Sequence, residues 1–367
     1  MKQNAARIEN TVRRSFSAST KTYNRNRRLG GKTLEVTRMG SLTKILSVGG
    51  LCAVGAGSLA LSLAAPASAG WEPKKPVEFV VMAGKGGGAD KAVRLMQSII
   101  AKDKLASVPV TPVNKPGGSG AEALIYLNGK KGDNHTIMFT LNSFYTTPLR
   151  QPGLNVNIEE FTPVMRMAED TFCLWVNSDR KDINNVDEFV AAAKAKGDKW
   201  IMAGTGKASE DNLLTDYLNT AYGLKMKYVP YKGGGKVAKE LAGNNADSTV
   251  NNPSEQLGFY EAGNTKPLAC FTGERIGLFK DAPTFKEIGK DFEYYMQRTV
   301  VGAPGMSDEA KAYYNDLFTK VFNSKDWQTY RSKKALQGDP LSGDALMTYW
   351  KKERDVHEAM LKEMGAL

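Results

Sequence analysis

The sequence predicts an α/β protein in which a parallel or mixed sheet is covered by helices on both faces. Short apolar runs of strand length alternate with longer segments whose apolar residues recur at helical spacing. Glycine-rich or small polar loops recur where a strand leads into a helix, in both halves of the chain. This alternation is typical of sheets that bind ligands outside the carboxyl ends of their strands.

In the first half, a strand over 77–82 leads through a glycine loop into a helix, which carries Val93, Met96 and Ile100 on one face. Turn residues such as Pro116 then separate the elements that follow. These are a strand over 108–113, a helix over 120–128 and a strand over 137–141.

In the second half, helix start and stop signals frame the same alternation, for example Asp187 as a cap and Gly197 as a terminator. The predicted strands cover 173–176, 200–203, 226–230, 248–251, 267–271 and 299–303. The predicted helices cover 187–197 and 210–222, a segment ending at Leu241, a segment opening at 252–254, and two C-terminal helices from Ser307 and from about Gly343.

Two glycine loops each precede a helix and lie in separate halves of the chain. The first contains Gly86, Gly87 and Gly88; the second contains Gly233, Gly234 and Gly235. Glycines let backbone N–H groups approach a ligand closely, and a helix N-terminus favours negative charge. Together with a third loop at the same structural position, residues 204–209, they favour an anion-binding role over simple tight turns.

The first loop also matches the dinucleotide pattern G-x-G-x-x-G/A through Gly84, Gly86 and Ala89. The acidic residue that should end the following strand is missing, since that strand ends in Pro112, Val113 and Asn114. We therefore predict no nicotinamide cofactor, and no other cofactor is indicated. The lysines in the loops, Lys85 and Lys232, are candidates for charge complementarity with an anionic ligand.

The basic character of the chain lies at its N-terminus. The net charge is +11 over 367 residues, but residues 1–69 hold 11 Lys/Arg and 2 Asp/Glu, so the remainder has a net charge of only +2. Nucleic acid is therefore not an expected partner. Residues 45–65 are apolar and small, follow basic residues and precede Ala67-Ser68-Ala69, which predicts a secretory signal cleaved after Ala69 rather than a membrane anchor.

Catalytic signals are weak in the remaining chain. His135 and His357 lie among polar or charged residues and are expected at the surface. Cys173 and Cys270 are far apart in sequence inside apolar runs, which favours buried free thiols over a disulfide, although an exported compartment would permit one. The sequence contains no metal-ligand spacing and no nucleophile elbow.

The order of several loops resembles the receptors of tripartite tricarboxylate transporters, the Bug or TctC family. The resemblance covers about 75–367 and rests on four segments. They are KPVEFVV with the loop GGGAD at 75–90, NKPGGSG at 114–120, VPYKGGG at 229–235 and VGAPGMS at 301–307.

The resemblance implies a two-lobed, type II-like periplasmic-binding architecture, each lobe a mixed sheet flanked by helices, joined by crossing strands. Lobe 1 would comprise 70–172 and 300–367, and lobe 2 would comprise 173–299. It implies a periplasmic, monomeric receptor that captures a carboxylate in the cleft and delivers it to membrane permease subunits. The first loop carries Gly84 and Lys85 where many members have apolar residues and proline, which favours a ligand with a second carboxylate. The implied ligand-binding residues are Gly86, Gly87, Gly88, Asp90, Thr205, Ser209, Gly233, Gly234 and Gly235, with Asn142, Ser143 and Asn252 as weaker candidates.

Two other functions stay open from the sequence. An exported α/β enzyme acting on an acidic substrate would turn over its bound carboxylate, whereas a receptor would release it unchanged. The other open function is a receptor domain that presents its ligand to a sensor kinase.

Overall fold

The computed structural model of the protein describes residues 70–207, 209–363 and 365–367. Residues 71–367 fall within one compact unit. The predicted signal over 1–69 lies outside the described residues. Within the described part, no helix has the length and apolar character needed to cross a bilayer.

Within the described residues, ten strands and ten α-helices follow one another in the α/β alternation that the sequence predicts. The strands are β1 (Val77–Val81), β2 (Val110–Asn114), β3 (Thr136–Thr140), β4 (Thr162–Thr171), β5 (Cys173–Asn177), β6 (Ile201–Thr205), β7 (Lys227–Tyr231), β8 (Ser248–Asn251), β9 (Thr265–Cys270) and β10 (Tyr295–Gly302). The helices are α1 (Gly88–Lys102), α2 (Ala121–Asn128), α3 (Ser143–Arg150), α4 (Val186–Lys196), α5 (Glu210–Tyr222), α6 (Gly234–Ala242), α7 (Pro253–Glu261), α8 (Asp308–Asn323), α9 (Lys325–Lys333) and α10 (Gly343–Glu363).

The strands form two five-stranded mixed sheets with matching topology. The first has the order β2-β1-β3-β10-β4 and the second the order β7-β6-β8-β5-β9. In each sheet the first three strands are parallel, and the fourth runs antiparallel to both of its neighbours. The fold class is therefore the predicted one, with helix-covered mixed sheets.

The chain passes between the sheets twice. Phe172 alone separates β4 of the first sheet from β5 of the second, and residues 271–294 lead from β9 back to β10. The backbone N–H of Phe271 donates to the carbonyl of Phe172 at 2.9 Å, so the two passages lie side by side.

Apolar side chains on both faces of the first sheet fix its helices. Phe79 of β1 packs with Val93 and Met96 of α1 and with Phe318 of α8 on one face. On the other face, Trp350 of α10 joins a cluster with buried apolar residues of α2 and α3. Because the helices cover both faces, the turns at the carboxyl ends of the parallel strands are where backbone groups remain available.

Cys173 and Cys270 form a disulfide, so the expectation of free thiols is wrong. The residues are direct partners in the antiparallel register of β5 and β9. Their separation of 97 residues conceals this adjacency, because the whole second sheet is built between them. Two cysteines in apolar runs do not indicate which strands will pair.

Alkylation after denaturation without reductant should leave both Cys173 and Cys270 unmodified. Mass spectrometry of the protein from Gly70 onward reads this directly, and the same treatment after reduction should add two alkyl groups. Two added groups without reductant would contradict the disulfide.

His357 is buried in the core, so the expectation of a surface histidine is wrong for it. Its side chain on α10 is 1% exposed. Its Nε2 lies 2.9 Å from the Tyr294 hydroxyl and 3.3 Å from Nδ2 of Asn142, and its Nδ1 lies 2.7 Å from the carbonyl of Glu353. The charged residues around His357 in sequence conceal its place on the buried face of α10. His135 is also partly covered, with its ring 5.5 Å from that of Trp71.

Burial lowers the pKa of His357 to about 4, well below its ordinary value. Between pH 4 and 6.5 the unfolded chain binds a proton at this residue that the folded protein excludes, so stability should rise with pH across this window. Across this pH window the proton linkage at His357 should change the free energy of unfolding by about 3 kcal/mol. Comparing the free energy of unfolding of the wild type and His357→Gln at pH 4, 5, 6 and 7 measures it.

Burial also raises the pKa of the neighbouring Glu353 to about 7. That shift makes stability fall as pH rises from 4.5 to 7, but it acts in both proteins and cancels in the comparison. Parallel pH profiles for the wild type and His357→Gln would contradict a buried neutral histidine.

Candidate functional site

The glycine turn after β1 is held in shape by Asp90 in the first turn of α1. Its Oδ2 accepts the backbone N–H of Gly86 at 2.9 Å, and the carboxylate also accepts from Arg94 and Asn114. Burial opposes ionisation, but these hydrogen bonds hold the pKa of Asp90 below its ordinary value. Asp90 therefore builds the turn, and its position leaves the N–H of Gly88 facing the second sheet.

A carboxylate from α7 joins the two predicted glycine turns. Oε1 of Glu255 accepts the backbone N–H of Gly88 at 2.8 Å. Its other oxygen, Oε2, lies so close to Gly234 that a Cβ added there would be 1.3 Å away. The N-terminal turns of α1 and α6, predicted from different halves of the chain, thus meet at one carboxylate. Glycine is required at Gly234 for this close approach rather than for its backbone angles.

A buried ion pair lies beside this contact. The guanidinium of Arg298 on β10 donates through Nε to Oδ2 of Asp170 on β4 at 3.1 Å, with a second bond from Nη2. The side chains are 4% and 1% exposed. Burial lowers the pKa of Arg298, but the adjacent Asp170 outweighs this and the net shift is upward. A Cβ added at Gly88 would lie 3.0 Å from Nη2 of Arg298, so the ion pair packs closely against the first turn of α1.

The third predicted loop, after β6, is closed by Ser209 and by side chains from neighbouring elements. Oδ2 of Asp211 accepts the N–H of Thr205 at 2.6 Å, and the Ser209 hydroxyl donates to the carbonyl of Thr205. The Tyr228 hydroxyl donates to the same carbonyl at 2.8 Å. Arg150 reaches this loop from α3, donating from Nη1 to the carbonyl of Lys207 at 3.1 Å. The loop therefore also faces the first sheet.

A second buried carboxylate opens α5 next to this loop. Glu210 is 8% exposed, and its Oε1 atom has no hydrogen-bond partner among the described residues. Burial raises the pKa of Glu210 above its ordinary value, opposed by backbone hydrogen bonds at Glu210 and Asn142 and by the charge of Arg298. Burial likewise raises the pKa of Glu255, opposed by the N–H of Gly88 and by Arg298. Glu210 and Glu255 thus each keep one buried carboxylate oxygen without a hydrogen-bond partner among the described residues.

The predicted residues divide into groups in the structure. Gly88 and Gly234 meet at Glu255, with Gly86, Gly87, Gly233 and Gly235 in the same two turns. Thr205 and Ser209 lie in the separate loop before α5. The side chains of Lys85 and Lys232 are exposed.

Three of the weaker candidates lie at strand ends but are engaged in the fold. Asn142 is buried and binds Tyr294, Tyr145 and the N–H of Gln297. Asn252 donates to the carbonyl of Thr171 at 2.8 Å, at the passage between the sheets. The Ser143 hydroxyl lies 3.5 Å from the sulfur of Met82.

Sequence reasoning missed Glu255, Arg298 and Asp170. An acidic residue in the first turn of a helix is ordinarily read as a partner of the helix dipole, which hides Glu255. A charge inside an apolar strand is a stronger signal, because buried charges are paired. Arg298 follows Tyr295-Met296-Gln297 and precedes Thr299-Val300-Val301, and it could have been recognised in this way.

Comparison with known proteins places the chain in a family. The family described as "Tripartite tricarboxylate transporter family receptor" matches residues 93–365. The protein BugT of Bordetella pertussis is 25% identical over 254 residues, which is 68% of this chain and 75% of BugT. A protein of Cupriavidus necator, named for the gbd 5' region, is 24% identical over 283 residues, which is 76% of this chain and 85% of that protein.

Solved structures share the fold. The periplasmic binding protein BugD has a TM-score of 0.73 at 21% identity, covering 80% of this chain and 99% of BugD. A protein of R. palustris solved with adipate has a TM-score of 0.74 at 22% identity, over 80% of this chain and 98% of that one. MatC of Rhodopseudomonas palustris, solved with malate, has a TM-score of 0.70 at 20% identity, covering 79% of this chain and 99% of MatC. On the family match over most of its length, the chain belongs to the receptors of tripartite tricarboxylate transporters.

Proposed function

We propose that this receptor captures a small organic acid between its two sheets and delivers it to the membrane permease subunits of its transporter. The observation that carries the proposal is the carboxylate of Glu255, bound between the turns that contain Gly88 and Gly234. A gap lined by two helix N-termini accommodates a carboxylate there. Relatives of the same fold were solved with adipate and malate, which are both carboxylates.

The two sheets act as separate lobes in this proposal. The first lobe contains the sheet of β1–β4 and β10 with its helices, and the second contains residues 173–294. We place the boundary of this proposal at Tyr295, since β10 pairs with β4 from Tyr295 to Gly302. Contacts such as Glu255 with Gly88 would break when the lobes open and re-form on closure.

The proposed role as a receptor also bears on the cellular compartment and the oligomeric state of the protein. Receptors of this family are periplasmic. We propose export through the signal over 1–69 with cleavage after Ala69, and a monomeric mature receptor. N-terminal sequencing of the exported protein should begin at Gly70, and light scattering should give the mass of one chain.

A thermal-shift panel of mono-, di- and tricarboxylates, with and without amino groups, tests the capture of an acid. A ligand at 100 times its Kd stabilises the protein by about 2.7 kcal/mol. Small-angle scattering with the best ligand should show compaction as the lobes close. No stabilisation by any acid, or no compaction at saturation, would contradict the proposal.

Recovery of the ligand separates a receptor from the enzyme alternative. After prolonged incubation and denaturation of the protein, chromatography should return the ligand unchanged and in full. Conversion to a product would favour an enzyme, although membership of a receptor family speaks against one.

A further inference from the structure

Glu255 occupies one of the positions where an acid ligand would place a carboxylate. Its Oε1 uses the N–H of Gly88 at the start of α1, and its Oε2 lies against Gly234 at the start of α6. The receptor therefore brings its own negative charge to the meeting point of the two turns. A ligand that enters here meets a fixed carboxylate instead of a vacant anion site.

The charge of Glu255 has no dedicated partner. Its Oε2 atom is buried and has no hydrogen-bond partner among the described residues, and the same holds for Oε1 of Glu210. The nearby Arg298 is bound to Asp170 by two hydrogen bonds. Buried carboxylate oxygens without partners are costly, so a bound ligand that supplied a donor would recover that cost.

An organic cation suits the unpartnered oxygen of Glu255 better than a metal ion does. Within residues 70–207, 209–363 and 365–367, no group of three or more His, Cys, Asp or Glu side chains could hold a metal. A second carboxylate on the ligand would be repelled by Glu255, whereas an ammonium group would form a charge-assisted hydrogen bond with Oε2. The sequence favoured a second carboxylate on the ligand partly because of Lys85, but the side chain of Lys85 is exposed.

We propose that Glu255 determines the specificity of this receptor and selects an aminocarboxylate, an acid whose second charged group is an ammonium rather than a carboxylate. The inference rests on the proposed capture of an acid between the lobes. Glu210 provides a further acceptor for the ammonium in the same cleft.

Matched ligand pairs test this selection by calorimetry on the protein from Gly70 onward. Succinate is compared with 3-aminopropanoate, glutarate with 4-aminobutanoate and adipate with 5-aminopentanoate, so that each pair exchanges one carboxylate for an ammonium. In the pair that binds best, we expect the amino compound to bind at least tenfold more tightly to the wild type. Glu255→Gln keeps the shape of the side chain and removes its charge, and it should reduce that ratio at least tenfold.

Glu261→Gln is the matched control, because it removes the same charge from the exposed end of the same helix. It should leave the ratio unchanged. A wild type that binds the dicarboxylates as tightly as the amino compounds would overturn the inference, and this measurement needs no variant. An unchanged ratio in Glu255→Gln would overturn the role of that residue. A panel in which no acid binds would instead refute the proposed function, and the inference with it.

Discussion

Gly234→Ala is expected to weaken ligand binding at least tenfold. A Cβ at this position would lie 1.3 Å from Oε2 of Glu255 and 2.9 Å from Oδ1 of Asn251, so the carboxylate must leave the turn and the methyl group takes its place. The backbone at the start of α6 is then shielded from the ligand. The displaced atoms belong mainly to the end of a flexible side chain, so the protein should still fold.

Calorimetry with the best ligand of the panel measures the loss, and thermal unfolding verifies the fold. Gly258→Ala is the control, since it lies on α7 with no heavy atom within 4 Å of an added Cβ. It should bind as the wild type does. Wild-type affinity in Gly234→Ala would show that the α6 turn does not contact the ligand.

Arg298→Met is expected to lower the free energy of unfolding by about 3–5 kcal/mol. Removing one member of a buried ion pair leaves the other charge without compensation, and this is the costly case. Asp170 is 1% exposed and would keep hydrogen bonds only from Ser254 and the N–H of Thr171. Urea unfolding monitored by tryptophan fluorescence measures the change.

A surface pair and a double variant complete this test. Lys320 and Asp316 form an ion pair on α8 with exposed side chains, so Lys320→Met should change stability very little. Combining Arg298→Met with Asp170→Leu removes both charges and should recover much of the loss. A single variant as stable as the wild type would contradict the importance of the buried pair.

The regular elements could be predicted where local signals and tertiary structure agree. The predicted bounds of α5 and β8 coincide with those observed, because Ser209 and Gly223 mark the helix ends and Asn252-Pro253 follows the strand. β4 was missed. Arg166, Glu169 and Asp170 interrupt its apolar pattern. Arg166 pairs with Glu169 on the same strand, whereas the partner of Asp170, Arg298, is distant in sequence.

The candidate site was predictable in its backbone but not in its side chains. Glycine loops before helices identify turns that expose N–H groups, and this led to Gly88 and Gly234. The carboxylate that joins them comes from α7, whose sequence gives no reason to expect contact with α1, 167 residues earlier. The pairing of Cys173 with Cys270 was hidden for a related reason, since it depends on which distant strands become neighbours within the second sheet.

The position of β10 has a consequence for the order in which the protein can fold. This strand lies between β3 and β4, so a chain made only as far as residue 294 leaves β4 without its partner in the ladder and the first sheet split. β5 of the second sheet likewise joins β8 and β9, which are formed some 70–95 residues later. The second sheet lies within residues 173–270, but the first sheet needs β10 and cannot be completed from a contiguous stretch. Complete native structure must therefore await the emergence of β10, and such non-local pairing makes the final step slow. The first lobe stays incomplete until then, so the chain can be handled in an extended form while it is being made.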